Sequence, residues 1–256
     1  MFPIDSAFGI FCYNSTGEEI LKFINEYEKF PVHSYKLSLR TRIVNKINSN
    51  STDTYNIIQK HELGKAFIIA CKKNYVNTVI VLLELGTDIE TIDNSQITGL
   101  MHACGYGNED IVKLLIERGA NINHTDINGS NALMFASEKG NQNIVNLLLE
   151  KGADVNHADA NDDTALITAS YNNHVDTVKL LLEKKANIDH ASNVETTPII
   201  WAVIRNHIDI VRLLLDNRAN IDHYDIKGNT AITYAQGNPN ITELLLKQNN
   251  KIIMQT

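Results

Sequence analysis

Hydrophobic and polar positions recur along most of this chain at a constant interval. A run of three apolar residues followed by an acid is found at 147–150, 180–183 and 213–216, at equal steps along the chain. A single alanine keeps the same interval from Ala70 to Ala235. Self-similarity at a constant spacing indicates a repeat architecture, in which each unit buries its apolar face against the next.

Each repeat predicts a pair of helices joined by a turn. In the repeat 159–191, the capping residue Thr164 precedes a short helix predicted from Ala165 to Tyr171. A second helix, predicted from Val175 to Lys184, is apolar around much of its girth, which is typical of a helix packed between neighbours. Equivalent capping residues are Thr98, Asn131, Thr197 and Thr230. The predicted fold is therefore all-α, with stacked helix-turn-helix units and short hairpin turns.

Two turns of the repeat favour glycine but do not always contain it. After the second helix, Gly119 and Gly152 suit a left-handed residue, whereas Lys185 and Arg218 occupy this position in later units. A non-glycine residue in that conformation costs about 1 kcal/mol. The hairpin position holds Gly129 and Gly228 in two units and Gln96, Asp162 and Glu195 in three others. We expect local strain in the C-terminal half, or a different helix cap there, and local stability that falls toward the C-terminus.

The segment 126–156 resembles an ankyrin repeat. It contains Asp126-Ile-Asn-Gly129, Asn131-Ala-Leu-Met-Phe-Ala136 and Gly152-Ala-Asp-Val-Asn156, and Thr197-Pro198-Ile199-Ile200-Trp201-Ala202 is similar to the TPLHxA signature of that family. The resemblance implies an ankyrin-repeat solenoid that binds another protein, with the first helices and hairpin tips lining a concave groove. The family's signature histidine is replaced here by Met101, Met134, Ile167, Ile200 and Thr233. These replacements predict apolar packing in place of a hydrogen bond between repeats.

The repeat pattern divides the chain into three predicted regions. The array covers 60–248, with a degraded unit at 60–92 and further units at 93–125, 126–158, 159–191, 192–224 and 225–248. The last unit is shortened by two residues near Pro239. Residues 1–59 form a predicted helical capping region, a divergent repeat plus an insertion, or else a separate binding module. Residues 249–256 form a C-terminal tail.

Composition narrows the classes of partner and compartment. The formal net charge of -7 and the absence of a basic stripe exclude nucleic acid as a partner. Three widely spaced cysteines, Cys12, Cys71 and Cys104, indicate free thiols in a reducing compartment. No basic leader and no long apolar run is found, so we expect a monomeric cytoplasmic protein without a membrane partner, or one delivered to a host cytosol by a signal-less route.

Two recurring sets of residues invite a chemical interpretation, which the repeat geometry disfavours. Four histidines recur in phase, at His124, His157, His190 and His223. Stacked helices lie about 8–10 Å apart, too far for neighbouring repeats to share a metal ion bound at about 2 Å. The aspartates Asp126, Asp159 and Asp225 are interpreted as hairpin residues that accept local backbone N–H groups. We therefore expect no metal, no cofactor and no enzymatic activity.

The predicted function is a scaffold or adaptor that binds a partner protein along the groove. The alternatives are a regulatory or inhibitory subunit that covers an enzyme's active site, and a host-directed effector of an intracellular microbe, which the Ile-, Asn- and Lys-rich composition favours. On the first helices, the predicted binding residues are Tyr106, Glu138, Lys139, Tyr171, Asn172, Trp201, Ile204 and Arg205. On the hairpins they are Ile127, Asn161, Asp163, Val194, Tyr224, Ile226 and Lys227. Aromatic and arginine side chains are favoured at binding hot spots, so we expect Trp201 and Arg205 to contribute most.

Overall fold

The computed structural model of the chain describes residues 53–84 and 86–253. These residues form twelve helices and isolated β-bridges but no strand, so the predicted all-α class is confirmed for the part of the chain described. The helices predicted near 18–30 and 37–47, and with them most of the predicted capping region, lie outside the described residues. The chain divides into two compact units, Met1–Asn121 and Ile122–Thr256.

The described part of the first unit contains two helix pairs. Its helices are α1 (Asp53–Lys73), α2 (Val76–Glu84), α3 (Gly99–Tyr106) and α4 (Glu109–Glu117). The first helices, α1 and α3, contact each other, and so do the second helices, α2 and α4. At 21 residues, α1 is much longer than α3 and begins before residue 60, the expected start of the array. Phe67, Leu82, Leu100 and Leu115 are fully buried between the helices.

The second unit continues the same alternation over four helix pairs. Its helices are α5 (Ala132–Lys139), α6 (Gln142–Glu150), α7 (Ala165–Tyr171), α8 (Val175–Glu183), α9 (Pro198–Ile204), α10 (Ile208–Asp216), α11 (Ala231–Tyr234) and α12 (Pro239–Ile253). First helices contact first helices in chain order, and second helices contact second helices. The first helix of the shortened last repeat, α11, has only four residues. The last helix, α12, continues beyond residue 248, the expected end of the array.

Small and apolar residues of the first helices make this stacking possible. Ala136, Ala169 and Ala202 are fully buried, so adjacent helix backbones approach closely. Ile167 and Ile200, which stand at the position of the signature histidine, are buried as well. Apolar contacts therefore replace a polar contact between these repeats, as predicted.

All five predicted residues occupy the N-cap position of a first helix. Side-chain oxygens accept a backbone N–H three residues on at Thr98 (3.3 Å), Asn131 (3.1 Å) and Thr164 (3.4 Å). The hydroxyl of Thr197 makes no capping bond and is buried without a partner among the described residues. There Pro198 fixes the backbone of the first turn instead. Thr230 shares a hydrogen bond with the hydroxyl of Thr233 (3.2 Å).

The turns adopt the left-handed backbone that the repeat pattern predicts, whether or not glycine is present. After the second helices, φ is 67° at Lys185 and 66° at Arg218, against 91° at Gly152. In the hairpins, φ is 56° at Asp162 and 55° at Glu195. The sequence analysis missed a third left-handed position, between the two helices of a pair, which is occupied by Gly107, Gly140, Asn173 and Asn206.

Candidate protein-interaction surface

An aspartate at the start of three of the four hairpins in the second unit shapes the surface by fixing the turn. One carboxylate oxygen accepts two backbone N–H groups, at 2.9 and 2.8 Å for Asp126, 2.8 and 3.0 Å for Asp159, and 2.9 Å twice for Asp225. The interpretation of these residues as turn formers is confirmed. In the repeat 192–224, Ser192 takes this position and accepts one weaker bond from Thr196 (3.4 Å).

Successive hairpins of the second unit are joined through their backbones. The amide of Ala160 donates to the carbonyl of Asn128 (2.8 Å), and Asn193 donates to Asn161 (2.9 Å). A longer bond runs from the amide of Ile226 to the carbonyl of Val194 (3.3 Å). The tips from 126 to 229 therefore form one continuous row, and the side chains on them keep a fixed spacing.

The recurring histidines hold this row in place. The Nε2 atom of His157 lies 2.7 Å from the carbonyl oxygen of Gly129, and that of His190 lies 2.9 Å from the carbonyl oxygen of Asp162. In the next repeat, His223 lies 3.3 Å from the carboxylate of Glu195. Each ring thus reaches back to the hairpin at the start of its own repeat. Within the described residues, no group of three or more His, Cys, Asp or Glu side chains is placed to hold a metal ion.

A second pair of histidines, which the sequence analysis did not single out, fixes the ends of the first helices. His174 and His207 precede α8 and α10, and their Nε2 atoms lie 2.7 Å from the carbonyl of Glu138 and 3.0 Å from that of Tyr171. The two histidines are separated by the constant interval of the repeat, and this was the signal that could have revealed them. The bond from His207 anchors the backbone of Tyr171, which is the last residue of α7.

Three of the predicted binding residues form one cluster. Tyr171 and Trp201 pack edge to face, with ring centroids 5.0 Å apart and an angle of 83° between the rings. The guanidinium carbon of Arg205, the residue after α9, lies 4.3 Å from the centroid of the Tyr171 ring. Tyr171 and Trp201 are half-buried, whereas Arg205 is exposed. The Nε1 atom of Trp201 is buried without a partner in the described part of the chain. Burial of the indole is therefore partial, and an arginine covers the tyrosine ring.

The remaining predicted residues of the first helices differ in their exposure and in the unit to which they belong. Glu138 and Lys139 are exposed at the end of α5, and Ile204 is 40% exposed at the end of α9. Asn172 is half-buried and donates through its side chain to the carbonyl of Thr168 (2.9 Å). Tyr106 is exposed but belongs to the first unit.

The hairpin tips contribute exposed apolar side chains. Tyr224 and Ile226 are both 64% exposed, and Ile226 lies beside Val194 through the backbone bond between their hairpins. Ile127, Asn161 and Lys227 are exposed as well. We call these tips and the exposed first-helix residues of the second unit the groove surface, which comprises Ile127, Glu138, Lys139, Asn161, Tyr171, Asn172, Val194, Trp201, Ile204, Arg205, Tyr224, Ile226 and Lys227.

Asp163 differs from the other predicted tip residues. It is half-buried, and its Oδ1 atom is buried without a hydrogen-bond partner in the described region. Burial, together with the negative charge of Asp159, raises the pKa of Asp163 to about 6. A partly desolvated carboxylate of this kind opposes folding when it is ionised, and it offers little surface to a partner.

The first unit contains an acid and a base in contact, Asp93 and His102. The Nε2 atom of His102 lies 2.8 Å from a carboxylate oxygen of Asp93, and Lys72 lies 3.8 Å from the same oxygen. Burial lowers the pKa of His102, and its bond to Asp93 offsets this only in part. The thiols of Cys71 and Cys104 are buried, and burial raises the pKa of both. Neither is a reactive thiolate that this pair could activate.

Comparison with known families agrees with this geometry. A family model described as "Ankyrin repeats (3 copies)" matches residues 40–126, 67–159, 100–193 and 188–256. The chain belongs to the ankyrin repeat family. Ankyrin repeats are in general protein-protein interaction modules, and they are typically non-catalytic scaffolds.

Two further findings complete the comparison. No curated protein sequence matches the chain closely enough to name a relative. Among the described residues, none of the helices combines the length and the apolar character needed to cross a membrane.

Proposed function

We propose that the chain is a cytoplasmic adaptor that binds a partner protein through the groove surface of its second unit. The observation that carries this proposal is the cluster of Tyr171, Trp201 and Arg205. Rings and a guanidinium held against one another lose little conformational freedom on binding, because their rotamers are already restricted. Tryptophan, tyrosine and arginine are also the side chains that contribute most at protein interfaces.

The pattern of residue variation supports the same surface. One helix position is alanine in three successive repeats, at 136, 169 and 202, and its side chain is fully buried each time. The position two residues further on, which is exposed or half-buried, changes from Glu138 to Tyr171 to Ile204. A position that packing does not constrain can vary to suit a partner.

The apolar tips support a contact that extends beyond the cluster. Val194, Tyr224 and Ile226 expose apolar side chains on two hairpins that are joined through the backbone. Burial of such side chains against a partner stabilises a complex by about 25 cal/mol for each Å² removed from water. The row thus adds apolar area next to the aromatic and cationic centre.

The test is affinity capture with matched variants. The wild-type chain, Arg205→Ala, Trp201→Ala and Lys179→Ala are each used to capture proteins from a lysate of the cells that make this protein, and their melting temperatures are measured in parallel. Lys179 is exposed on the second helix α8, away from the proposed surface. We expect a partner that wild type and Lys179→Ala retain, and that Arg205→Ala and Trp201→Ala bind about 30-fold more weakly, the equivalent of about 2 kcal/mol.

Two outcomes would redirect the proposal. Trp201 is half-buried, so weak binding by a Trp201→Ala protein with a depressed melting temperature would report a folding defect. Normal binding by well-folded Arg205→Ala and Tyr171→Ala proteins would move the site away from the groove surface. An activity assay of the captured partner then separates an adaptor, which leaves that activity unchanged, from an inhibitory subunit.

A further inference from the structure

The guanidinium of Arg205 is positioned by stacking but has no anionic partner in the described part of the chain. Its central carbon lies 4.3 Å from the centroid of the Tyr171 ring, and the side chain is exposed. No ion pair joins it to any described carboxylate. Stacking occupies one face of the planar group and leaves the N–H donors along its edges free. Arg205 therefore presents a preoriented fork of donors to the solvent.

The acids near the groove surface are in a different situation, because several of them already have partners. The hairpin carboxylates of Asp159 and Asp225 accept backbone N–H groups of their own turns. The exposed cation without a partner is thus better placed than these acids to recognise an opposite charge.

Resting on the function proposed above, we infer that Arg205 receives a carboxylate of the partner protein. The bound segment would carry an aspartate or glutamate whose two oxygens match the donor fork. It would also carry an apolar side chain next to this acid, which packs against the exposed parts of Trp201 and Ile204. A guanidinium binds a carboxylate through two parallel hydrogen bonds, and this geometry gives specificity as well as affinity.

The equivalent position two repeats earlier provides a second, weaker site for a carboxylate of the partner. Lys139, Asn172 and Arg205 occupy one position in three successive repeats, at the ends of their first helices. Lys139 is exposed and has no ion-pair partner among the described residues. The negative end of a helix dipole favours a cation there, which lowers the cost of keeping both charges unpaired before binding. A second acid of the partner segment would meet Lys139, with a smaller contribution because Glu138 is its neighbour in sequence.

The experiment starts from a display selection with a library of random peptides against the full wild-type chain. The enriched peptide is then synthesised with its acid intact and with that acid changed to the matching amide. Both peptides are titrated against wild type, Arg205→Ala, Arg205→Lys, Trp201→Ala and the control Arg212→Ala. Arg212 is an exposed arginine on the second helix α10, so its loss removes the same charge from another place.

We expect enriched peptides that carry an acid next to an apolar residue. Arg205→Ala should weaken binding of the acidic peptide by about 10- to 100-fold, the range for a hydrogen-bonded charge pair. Arg205→Lys should restore only part of this loss, because it keeps the charge without the fork. Arg212→Ala should bind as wild type does. The amide peptide should bind wild type and Arg205→Ala equally, which shows that the two changes remove one interaction.

The results that would contradict a carboxylate at Arg205 differ from those that would contradict the proposed function. Enriched peptides without an acid, whose binding still depends on Trp201, would overturn the carboxylate assignment and leave the groove surface in place. Binding that is more than about tenfold tighter when phosphoserine replaces the acid would assign Arg205 to a phosphorylated segment instead. If no peptide is enriched, or if enriched peptides bind Trp201→Ala and Arg205→Ala as they bind wild type, both proposals are overturned together.

Discussion

Two neighbouring repeats of the second unit, 126–158 and 159–191, follow the same backbone path with different residues at its three left-handed positions. The first repeat uses glycine at all three and the second at none. The pairs are Gly129 and Asp162, Gly140 and Asn173, and Gly152 and Lys185. Glycine adopts positive φ without steric cost, whereas for other L-residues this conformation costs about 1 kcal/mol or more. Yet φ stays between 56° and 67° in the second repeat.

The comparison shows that the same contacts hold the hairpins of both repeats. His157 bonds the carbonyl of Gly129, and His190 bonds the carbonyl of Asp162, at similar distances. The amides of both hairpins also donate the same pattern of bonds to their leading aspartates. A strained conformation persists where surrounding structure over-determines it. We therefore expect the second repeat to keep the shape of the first at a lower local stability.

The largest expected effect is the loss of stability caused by Gly140→Ala in the first repeat. A Cβ atom at this position would overlap the ring of His174, which holds the carbonyl of Glu138. The clash adds to the cost of a left-handed alanine, so we expect a loss of about 2–3 kcal/mol in the free energy of unfolding. Chemical denaturation measures it. A loss as small as that of a residue with free space around it would show that His174 moves aside at little cost.

Gly152→Ala isolates the conformational cost without a clash. No atom lies within 4 Å of the position that its Cβ would take, although φ is 91°. We expect the free energy of unfolding to fall by about 1 kcal/mol, through backbone conformation alone. The same denaturation series compares it with Gly140→Ala. Equal losses for the two variants would contradict the separation of strain from packing.

The hairpins of the two repeats differ also at their final residue, which is Ser130 in the first and Asp163 in the second. The pKa of Asp163 is raised to about 6 from its ordinary value of 3.8, so the folded state binds this proton more tightly than the unfolded state does. Stability from this group is therefore fully present below about pH 4 and is lost as the pH rises through 6.

Asp163→Asn should remove that dependence. At pH 7 we expect the variant to be more stable than wild type by about 1 kcal/mol, less than the full pKa difference implies because water screens a half-buried group. The advantage should vanish by about pH 4. Unfolding titrations at a series of pH values test this, with the exposed Asp216→Asn as the control. A constant difference across the series would exclude titration of Asp163 as its cause.

The smallest expected effect is a gain in stability when a glycine of the first repeat is copied into the second. Lys185→Gly places glycine where the first repeat has Gly152, and it relieves a left-handed lysine. We expect a gain of about 0.5 kcal/mol, since the greater freedom of glycine in the unfolded chain offsets part of the relief. Asn173→Gly is the matched control, because asparagine tolerates this conformation, and it should change stability less. Thermal unfolding of the two variants checks their order, and a loss for Lys185→Gly would contradict the assignment of strain.

The sequence predicted which residues belong to the proposed site, but not the contacts between them. The constant interval of the repeat places Tyr171 and Arg205 near the ends of neighbouring first helices, and this much follows from counting. That the guanidinium lies on the tyrosine ring depends on side-chain rotamers and on the distance between the two helices. The position of Asp163 was less predictable, since exposure at a hairpin depends on how the next repeat covers it.

What the sequence determined by itself is the repeat: the helix pairs, their order, the turns and the buried alanines. These features depend on residues close in sequence and on a periodicity that survives substitution, so they can be recognised without coordinates. Only the tertiary structure decided which turns stay left-handed without glycine, which histidine holds which carbonyl, and which charge is left without a partner. Those outcomes depend on atoms far apart in the sequence being brought within hydrogen-bond distance, as His157 is to Gly129 and His207 is to Tyr171. No local pattern encodes such a distance, because it is set by the packing of one whole repeat on the next.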